Sequence, residues 1–371
     1  MAGNFIINGK FLSVPMTGVH RVAHELANAI AVLEQANPDS RSAVWLPHDG
    51  AERARSIDLP SRVIGPLRGI PWEQVTLPIA ARGRMLLNLC NIGPVMASNA
   101  VTMIHDAQVY TTPDSYGAGF GAWYRLIQPR LAKRHRHILT VSAYSRDQLI
   151  SLGLAEPGRI SVVHNGVDHV VREAPETAVV ERLGLTRKRY AVALASTQAH
   201  KNIRLLLKAF ADPAMSGLKL VLIGNDAPMW REFGPLLRSN VVLAGRVSDG
   251  ELRALYESAL CLAFPSTTEG FGLPPLEAMR VGCPAVVAPC GALPEVCGDA
   301  AIYANQDSAA AWVDAITGLA RHEDEWLNRS RAGQAHASQF TWQRSAQKLV
   351  AILGSVCANS DARNVAACAT A

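Results

Sequence analysis

No Cys-x-x-Cys pair occurs in this sequence. Its seven cysteines, Cys90, Cys261, Cys283, Cys290, Cys297, Cys357 and Cys368, form an odd set, and several fall inside apolar runs. That leaves no disulfide framework and predicts a reduced, cytoplasmic protein. The run Met1-Ala2-Gly3-Asn4-Phe5-Ile6-Ile7 lacks the basic-then-apolar pattern of a signal peptide. No uncharged apolar stretch approaches the roughly 18 residues a membrane span needs, so membrane contact is expected to be peripheral. Charge is scarce too: 18% of residues are charged against 49% hydrophobic, with a net charge of +5. This is a globular balance that gives no case for nucleic acid. A dinucleotide loop is also missing. Tyr116-Gly117-Ala118-Gly119-Phe120-Gly121 offers the glycines, but in GxGxG spacing and with no apolar strand before it.

What is present is a chain of 371 residues, long enough for two domains that each bury a core. Phe5-Ile6-Ile7-Asn8 reads as a strand, followed by a loop with Pro15 and Gly18 and a helical pattern from Val19 to Leu33. The loop at a strand's carboxyl end borders the ligand crevice of an open α/β sheet, which makes Thr17-Gly18 a candidate contact; a plain turn explains Gly18 as well. Further short strands are Ala43 to Leu46, Met85 to Leu89, and Val101 to Ile104, the last leading straight into His105-Asp106. His105 therefore stands at the same carboxyl edge. Residues 122–137 form a helix in which Trp123, Tyr124 and Leu126 interleave with Arg125, Arg130, Lys133, Arg134 and Arg136. The mix suits an anionic membrane surface, as it also suits an amphipathic helix lying on a sheet. Ile138 to Val141 is the next strand, with Ser142 and Ser145 as candidate caps, and Ile160 to Val163 runs into His164-Asn165-Gly166-Val167-Asp168.

A first domain is expected over 1–170 and a charged linker over 171–187. The pattern then restarts with the buried strand Arg189 to Ala195, Ser196-Thr197-Gln198-Ala199-His200-Lys201-Asn202, and a helix from Ile203. Lys201 there places a positive charge where a phosphate would suit it. Strands follow at 219–224 and 241–247, and Ser248-Asp249-Gly250-Glu251 has the spacing of a capping box. Two successive sets of strands and helices imply two doubly wound parallel sheets facing each other across a ligand cleft. The second domain is expected over 188–340, a returning helix over 341–355, and a disordered tail over 356–371.

The most informative run is Ser266-Thr267-Thr268-Glu269-Gly270-Phe271-Gly272-Leu273-Pro274-Pro275-Leu276-Glu277-Ala278-Met279. An apolar strand ends before Pro265, and Pro274 and Pro275 fit only the first turn of a helix. Gly270 and Gly272 between them let backbone N–H groups approach an anion. Glu269 precedes the helix and Glu277 lies about one turn inside it, so both carboxylates can face one cleft at different depths. An acidic helix start that merely suits the helix dipole is the plainer account.

Together these stretches resemble the retaining, nucleotide-sugar-dependent glycosyltransferases of GT-B architecture, two facing Rossmann-like domains, and in particular family 4. The most specific match is the E-x7-E signature from Glu269 to Glu277; supporting matches are Val141 to Arg146, His164 to Asp168, His200 to Asn202, Gly245 to Asp249 and Gly291 to Asp299. The resemblance implies that Glu269 holds the donor sugar's hydroxyls and that the backbone of Gly270-Phe271-Gly272-Leu273 binds sugar and diphosphate. It gives Glu277 the ribose, Lys201 the diphosphate, and the backbone near Arg246-Val247 the base. His105 would stand beside the reacting sugar as a catalytic residue with Glu269 and Lys201, and Gly18 over the phosphates. Phe340-Thr341-Trp342 resembles the point where the last helix returns to the first domain. One departure stands out: where many members carry a second basic residue, this chain has Ser196 and Thr197, so either their hydroxyls serve, or His200 or another basic residue substitutes.

The expected activity is hexose transfer, with mannose from GDP-mannose favoured, to a hydroxyl of a glycan, in surface polysaccharide synthesis. A lipid-linked acceptor at the inner membrane face would explain the basic helix. No Asp-x-Asp triplet occurs, which argues against the metal-dependent single-domain transferases, and neither cofactor nor obligatory metal is expected. A UDP-sugar transferase, a nucleotide-sugar epimerase or hydrolase, and a binding protein without turnover remain the competing readings.

Overall fold

A computed structural model of the chain describes residues 4–36, 42–224 and 231–369, with backbone alone from 359. Met1, Ala2 and Gly3 of the leader reading and residues 370–371 of the expected tail lie outside the described residues. The chain divides into two units: residues 1–111, 117–166 and 341–371 form the first, and 112–116 with 167–340 the second.

In the first unit, β1 (Phe5–Asn8), β2 (Ala43–Leu46), β3 (Ser61–Val63), β4 (Met85–Asn88), β5 (Ala100–Met103), β6 (His137–Thr140) and β7 (Ile160–Val162) make one sheet in the order β3-β2-β1-β4-β5-β6-β7. Every pairing is parallel. The second unit holds β8 (Tyr190–Leu194), β9 (Lys219–Ile223), β10 (Val241–Gly245), β11 (Cys261–Phe264), β12 (Ala285–Val287) and β13 (Ile302–Tyr303) in the order β10-β9-β8-β11-β12-β13, again all parallel. β1, β4, β5 and β11 are buried along their whole length, because helices cover both faces of a parallel sheet; this is why they read as unbroken apolar runs.

Strand order sets where a ligand can sit. In each unit the winding reverses once, between β1 and β4 in the first and between β8 and β11 in the second. The loops leaving the carboxyl ends of those strands diverge there and open a crevice. These are two Rossmann-like domains.

Several local expectations are met in detail. Ser248 accepts from the Glu251 backbone N–H at 3.0 Å while Glu251 accepts from the Ser248 N–H at 3.0 Å, closing the capping box of helix Asp249–Ser258. Ser142 caps helix Ala143–Ser151, and Ser145 lies inside it. Other expectations need correction. The stretch 171–187 does not stand between the units. It belongs to the second, where helix Ala178–Arg182 packs on helix Asp249–Ser258; its charged side chains are exposed on the surface of that unit. The helix expected over 122–137 runs from Ala118 to Arg134, since Gly117 supplies its N-cap and His137 opens β6. The last helix continues from Trp342 to Ala369 instead of ending at 355, and so replaces the expected disordered tail; alanine, the strongest helix former, carries that stretch without an apolar stripe. It packs against helix Gly18–Gln35 within the first unit. Cys90, Cys261, Cys283, Cys290, Cys297 and Cys357 carry free thiols, and burial pushes those of Cys261 and Cys297 up to about 12.

Candidate functional site

In the second unit three loops leave the carboxyl ends of the adjacent strands β8, β11 and β12 and are tied to one another. The backbone N–H of Thr267 donates to the His200 carbonyl at 2.8 Å, joining the β11 loop to the β8 loop. The N–H of Ala292, in the β12 loop, donates to the Glu269 carbonyl at 3.0 Å. Gly291 presses so closely on this turn that a Cβ there would lie 2.5 Å from the Glu269 nitrogen. Gly272, at φ +97°, turns the chain into helix Leu273–Arg280, with Pro274 and Pro275 in its first turn as their fixed φ allows. The sequence Gly-Phe-Gly-Leu-Pro-Pro thus folds as the strand-to-helix turn it predicts.

Glu269 and Lys201 meet across the β8/β11 switch point. Lys201 Nζ donates to Glu269 Oε1 at 2.7 Å, with the two side chains 23% and 13% exposed, and the ammonium lies 5.4 Å from the centre of the Phe264 ring. A pair this open can trade its mutual contact for a ligand's, whereas a fully buried pair could not. Glu277 is deeper. Its Oε1 accepts from His169 Nε2 at 3.1 Å, and both side chains are nearly closed off. Gly270 and Phe271 are buried, the Phe271 ring set edge-on to Phe340 at 6.1 Å, so that their side-chain positions serve packing. Arg246 and Val247 follow the carboxyl end of β10, two strands from β8 and hence about 10 Å along the edge. Arg246 is exposed.

The question left by Ser196 and Thr197 is narrowed by His200. His200 is buried, its Nδ1 lies 2.9 Å from Ser115 Oγ, and burial together with the neighbouring Lys201 charge lowers its pKa despite the opposing pull of Glu269. It is neutral at pH 7 and cannot replace a cation. Ser196 Oγ accepts from the Gln198 N–H at 3.3 Å and Thr197 is exposed, leaving Lys201 as the charged group of this loop.

In the first unit, His105 follows β5 and is buried. Its Nε2 donates to the Leu89 carbonyl at 2.8 Å and its backbone N–H to Asn91 Oδ1 at 2.7 Å. Burial pushes the imidazole down to about 4, the Leu89 bond opposing and His20 adding a little. With Nε2 carrying the proton, Nδ1 of a neutral ring is an acceptor, suited to a hydroxyl and unsuited to acid catalysis. Gly18 starts helix Gly18–Gln35, is exposed, and has open space where a Cβ would stand, so the fold itself makes no demand for glycine there.

Two partners escaped the sequence reading. His169 bonds Glu277 across a separation of 108 residues, and Ser115 reaches His200 across 85. The only trace of the first is a histidine directly after the Asn165-Gly166-Val167-Asp168 turn; the second left none.

The family model described as Glycosyltransferase Family 4 matches residues 16–170, and that described as Glycosyl transferases group 1 matches 188–322. O-antigen chain mannosyltransferase B of Escherichia coli is 31% identical over 265 residues, 67% of this chain and 68% of that protein. O-antigen chain mannosyltransferase RfbU of Salmonella typhimurium is 28% identical over 238 residues, 62% of this chain and 63% of that one. The alignments thus span about two thirds of each relative, slightly less for the second. Among solved structures, Anabaena Alr3699/HepE, crystallised with UDP and glucose, superposes at a TM-score of 0.74 over 95% of this chain and 100% of its own; at 18% identity this establishes the fold. The paired switch-point crevices, the Glu269 to Glu277 turn and these matches lead to one conclusion: the chain is a glycosyltransferase of GT-B fold and belongs to glycosyltransferase family 4.

Proposed function

We propose that the protein transfers a hexose, mannose from GDP-mannose being the favoured donor, to a hydroxyl of a growing surface polysaccharide, with retention at the anomeric carbon and without an obligatory metal. The observation that carries this reading is the partly open Lys201–Glu269 pair at the β8/β11 switch point. On donor binding Glu269 exchanges the ammonium for sugar hydroxyls, and Lys201 turns to the diphosphate. Glu277 takes the ribose, and the backbone of Gly270 to Leu273 faces the phosphates. The acceptor attacks from the face the diphosphate leaves; the departing phosphate oxygen takes the acceptor's proton while Lys201 stabilises the charge. Retaining glycosidases instead need two carboxyl groups about 5 Å apart, one of them a nucleophile, whereas in this reading Glu269 and Glu277 hold hydroxyls of the sugar and of the ribose. Neutral His105 accepts a hydrogen bond from a sugar hydroxyl through Nδ1.

The names of the two enterobacterial relatives support mannose and a polysaccharide product. A lipid-linked acceptor accords with helix Ala118–Arg134, whose Arg125, Arg130, Lys133 and Arg134 are exposed and face an anionic leaflet in this reading. No helix among the described residues is long and apolar enough to cross a membrane.

The test is transfer of label from GDP-mannose, UDP-glucose and ADP-glucose into a bacterial lipid extract, with and without EDTA. Label should move from GDP-mannose, survive EDTA, and fall roughly a hundredfold in Glu269→Ala, several kcal/mol of sugar-hydroxyl contact being lost. Free mannose as the product would make the protein a hydrolase, and undiminished transfer by Glu269→Ala would remove the site.

A further inference from the structure

The edge of the first unit carries a surface that the helix at 118–134 does not account for. Residues 69–80 coil in short turns, Gly69–Pro71, Trp72–Thr76 and Leu77–Ala80. Their inner side is conventional: Trp72, Leu77 and Ala81 are buried against Ile6, Trp45, Ile64 and Leu86. Their outer side is not. Val75 is 50% exposed and Ile79 68%, and the two are four residues apart on one helical face, with Leu67 and Ile70 exposed just before them. Large apolar residues standing singly in water are ordinary, but a group of them on one short element marks a contact surface.

Charge says which contact. Arg62, Arg68, Arg82 and Arg84 are all exposed, and in residues 59–84 the only carboxylate is Glu73, buried and bound to Lys10 Nζ at 2.8 Å. Arg62 and Arg84 converge on the Trp45 ring, 5.7 and 5.5 Å from its centre, so the basic rim is anchored where the inner side of the coil packs. The face is also continuous with helix Ala118–Arg134. Gln74 Nε2 donates to the Gly93 carbonyl at 2.9 Å and Gln74 Oε1 accepts from the Val95 N–H at 3.0 Å; Arg134 Nε donates to the Met96 carbonyl at 3.3 Å. Met96, 65% exposed, therefore projects between the two elements.

We infer that residues 67–82, with Met96, form the inserting part of an interfacial membrane-docking surface, Val75, Ile79 and Met96 entering the acyl boundary while the arginines hold anionic headgroups. A second copy of the chain is the poorer partner, because a two-fold interface sets the patch against itself and brings arginine to arginine. Apolar prongs beside exposed arginines are what an anionic lipid surface accommodates. The inference extends the membrane contact proposed for helix Ala118–Arg134, and its test reads binding alone, so that it can fail while transfer stands.

The experiment is sedimentation of the full chain with vesicles of phosphatidylcholine and of phosphatidylcholine with phosphatidylglycerol. Wild type should bind only the anionic vesicles. Arg68→Glu/Arg82→Glu should weaken binding at least about 25-fold, at roughly fivefold per basic charge removed. Ile79→Asn should weaken it about tenfold, from one lost apolar anchor. Transfer to a short water-soluble acceptor should be unchanged in both. Equal binding to neutral vesicles, or full binding by all these variants while Arg130→Glu/Lys133→Glu abolishes it, would overturn the inference. So would a dimer of the wild type, without vesicles, that Ile79→Asn converts to monomer.

Discussion

The two units are built alike and use their carboxyl edges differently. In the first, polar side chains at the ends of β1, β4 and β5 form a closed chain: Glu73 Oε1 accepts from Asn8 Nδ2 at 2.9 Å, which also donates to Asn88 Oδ1 at 3.0 Å. Asn88 Nδ2 donates to Thr102 Oγ1 at 3.0 Å, Thr102 Oγ1 lies 2.7 Å from His135 Nδ1, and His135 Nε2 donates to the Pro94 carbonyl at 3.1 Å. Only Lys10, at its end, reaches solvent. In the second unit the charged pair at the switch point is partly open, and its partners are held by loops. A buried chain with its members satisfied fixes a backbone, and an open pair is available to a ligand. A lysine–glutamate pair is thus part of a buried frame in one unit and stays partly exposed at the switch point in the other.

That contrast can be broken by experiment, the largest effect first. Glu73→Leu leaves Lys10 without its carboxylate and Asn8 Nδ2 with Asn88 Oδ1 as its one remaining acceptor, and should cost about 3 kcal/mol of stability by chemical denaturation, with Kd for nucleotide sugar unchanged. A loss of nucleotide binding with intact stability would mean the chain is no frame. A similar amount is at stake in pH. Burial lowers His135 to about 4 and His105 to about 4 from 6.5, so both bind protons more readily in the unfolded chain. Their stabilising effect is complete above pH 6.5 and is lost as pH falls toward 4, on the order of 3 kcal/mol for each. His135→Gln should remove about half of that slope in pH-dependent unfolding, and an unaltered slope would refute the assignment.

Lys201→Ala belongs to the other side of the comparison. It should weaken donor binding by about 2 kcal/mol in calorimetry, the worth of one charge-assisted contact, while thermal stability changes little because the pair is partly solvated. The smallest effect is expected from His169→Ala, about 1 kcal/mol in affinity for the ribonucleotide. The same variant should bind the 2′,3′-dideoxy nucleotide as well as wild type does, if His169 acts by holding Glu277 toward the ribose. Equal losses for both nucleotides would make His169 merely structural.

Much of the local structure at the second unit's candidate site was legible because its constraints are local. Gly272 and Pro274 are demanded by a turn within a few residues of Glu269, and Lys201 stands a few positions beyond its strand. Contacts across long separations leave no such trace, and for that reason His169 and Ser115 were missed. Composition misled where charge stood for absence of structure, as in 171–187, and where a missing apolar stripe stood for disorder, as in 356–369. The apolar face at Val75 and Ile79 was hidden for the opposite reason: a hydrophobic pattern reads as buried, and only accessibility shows which side of the coil faces water.

The partition of the chain has a further bearing. It passes from one unit to the other at 111/112, 116/117, 166/167 and 340/341, so neither unit is a contiguous stretch of sequence. A chimaera that exchanges only 167–340 for another transferase's second half would leave Ser115 facing a foreign loop where His200 had been. Recombination, natural or designed, would have to carry 112–116 along with 167–340 to deliver the second unit whole.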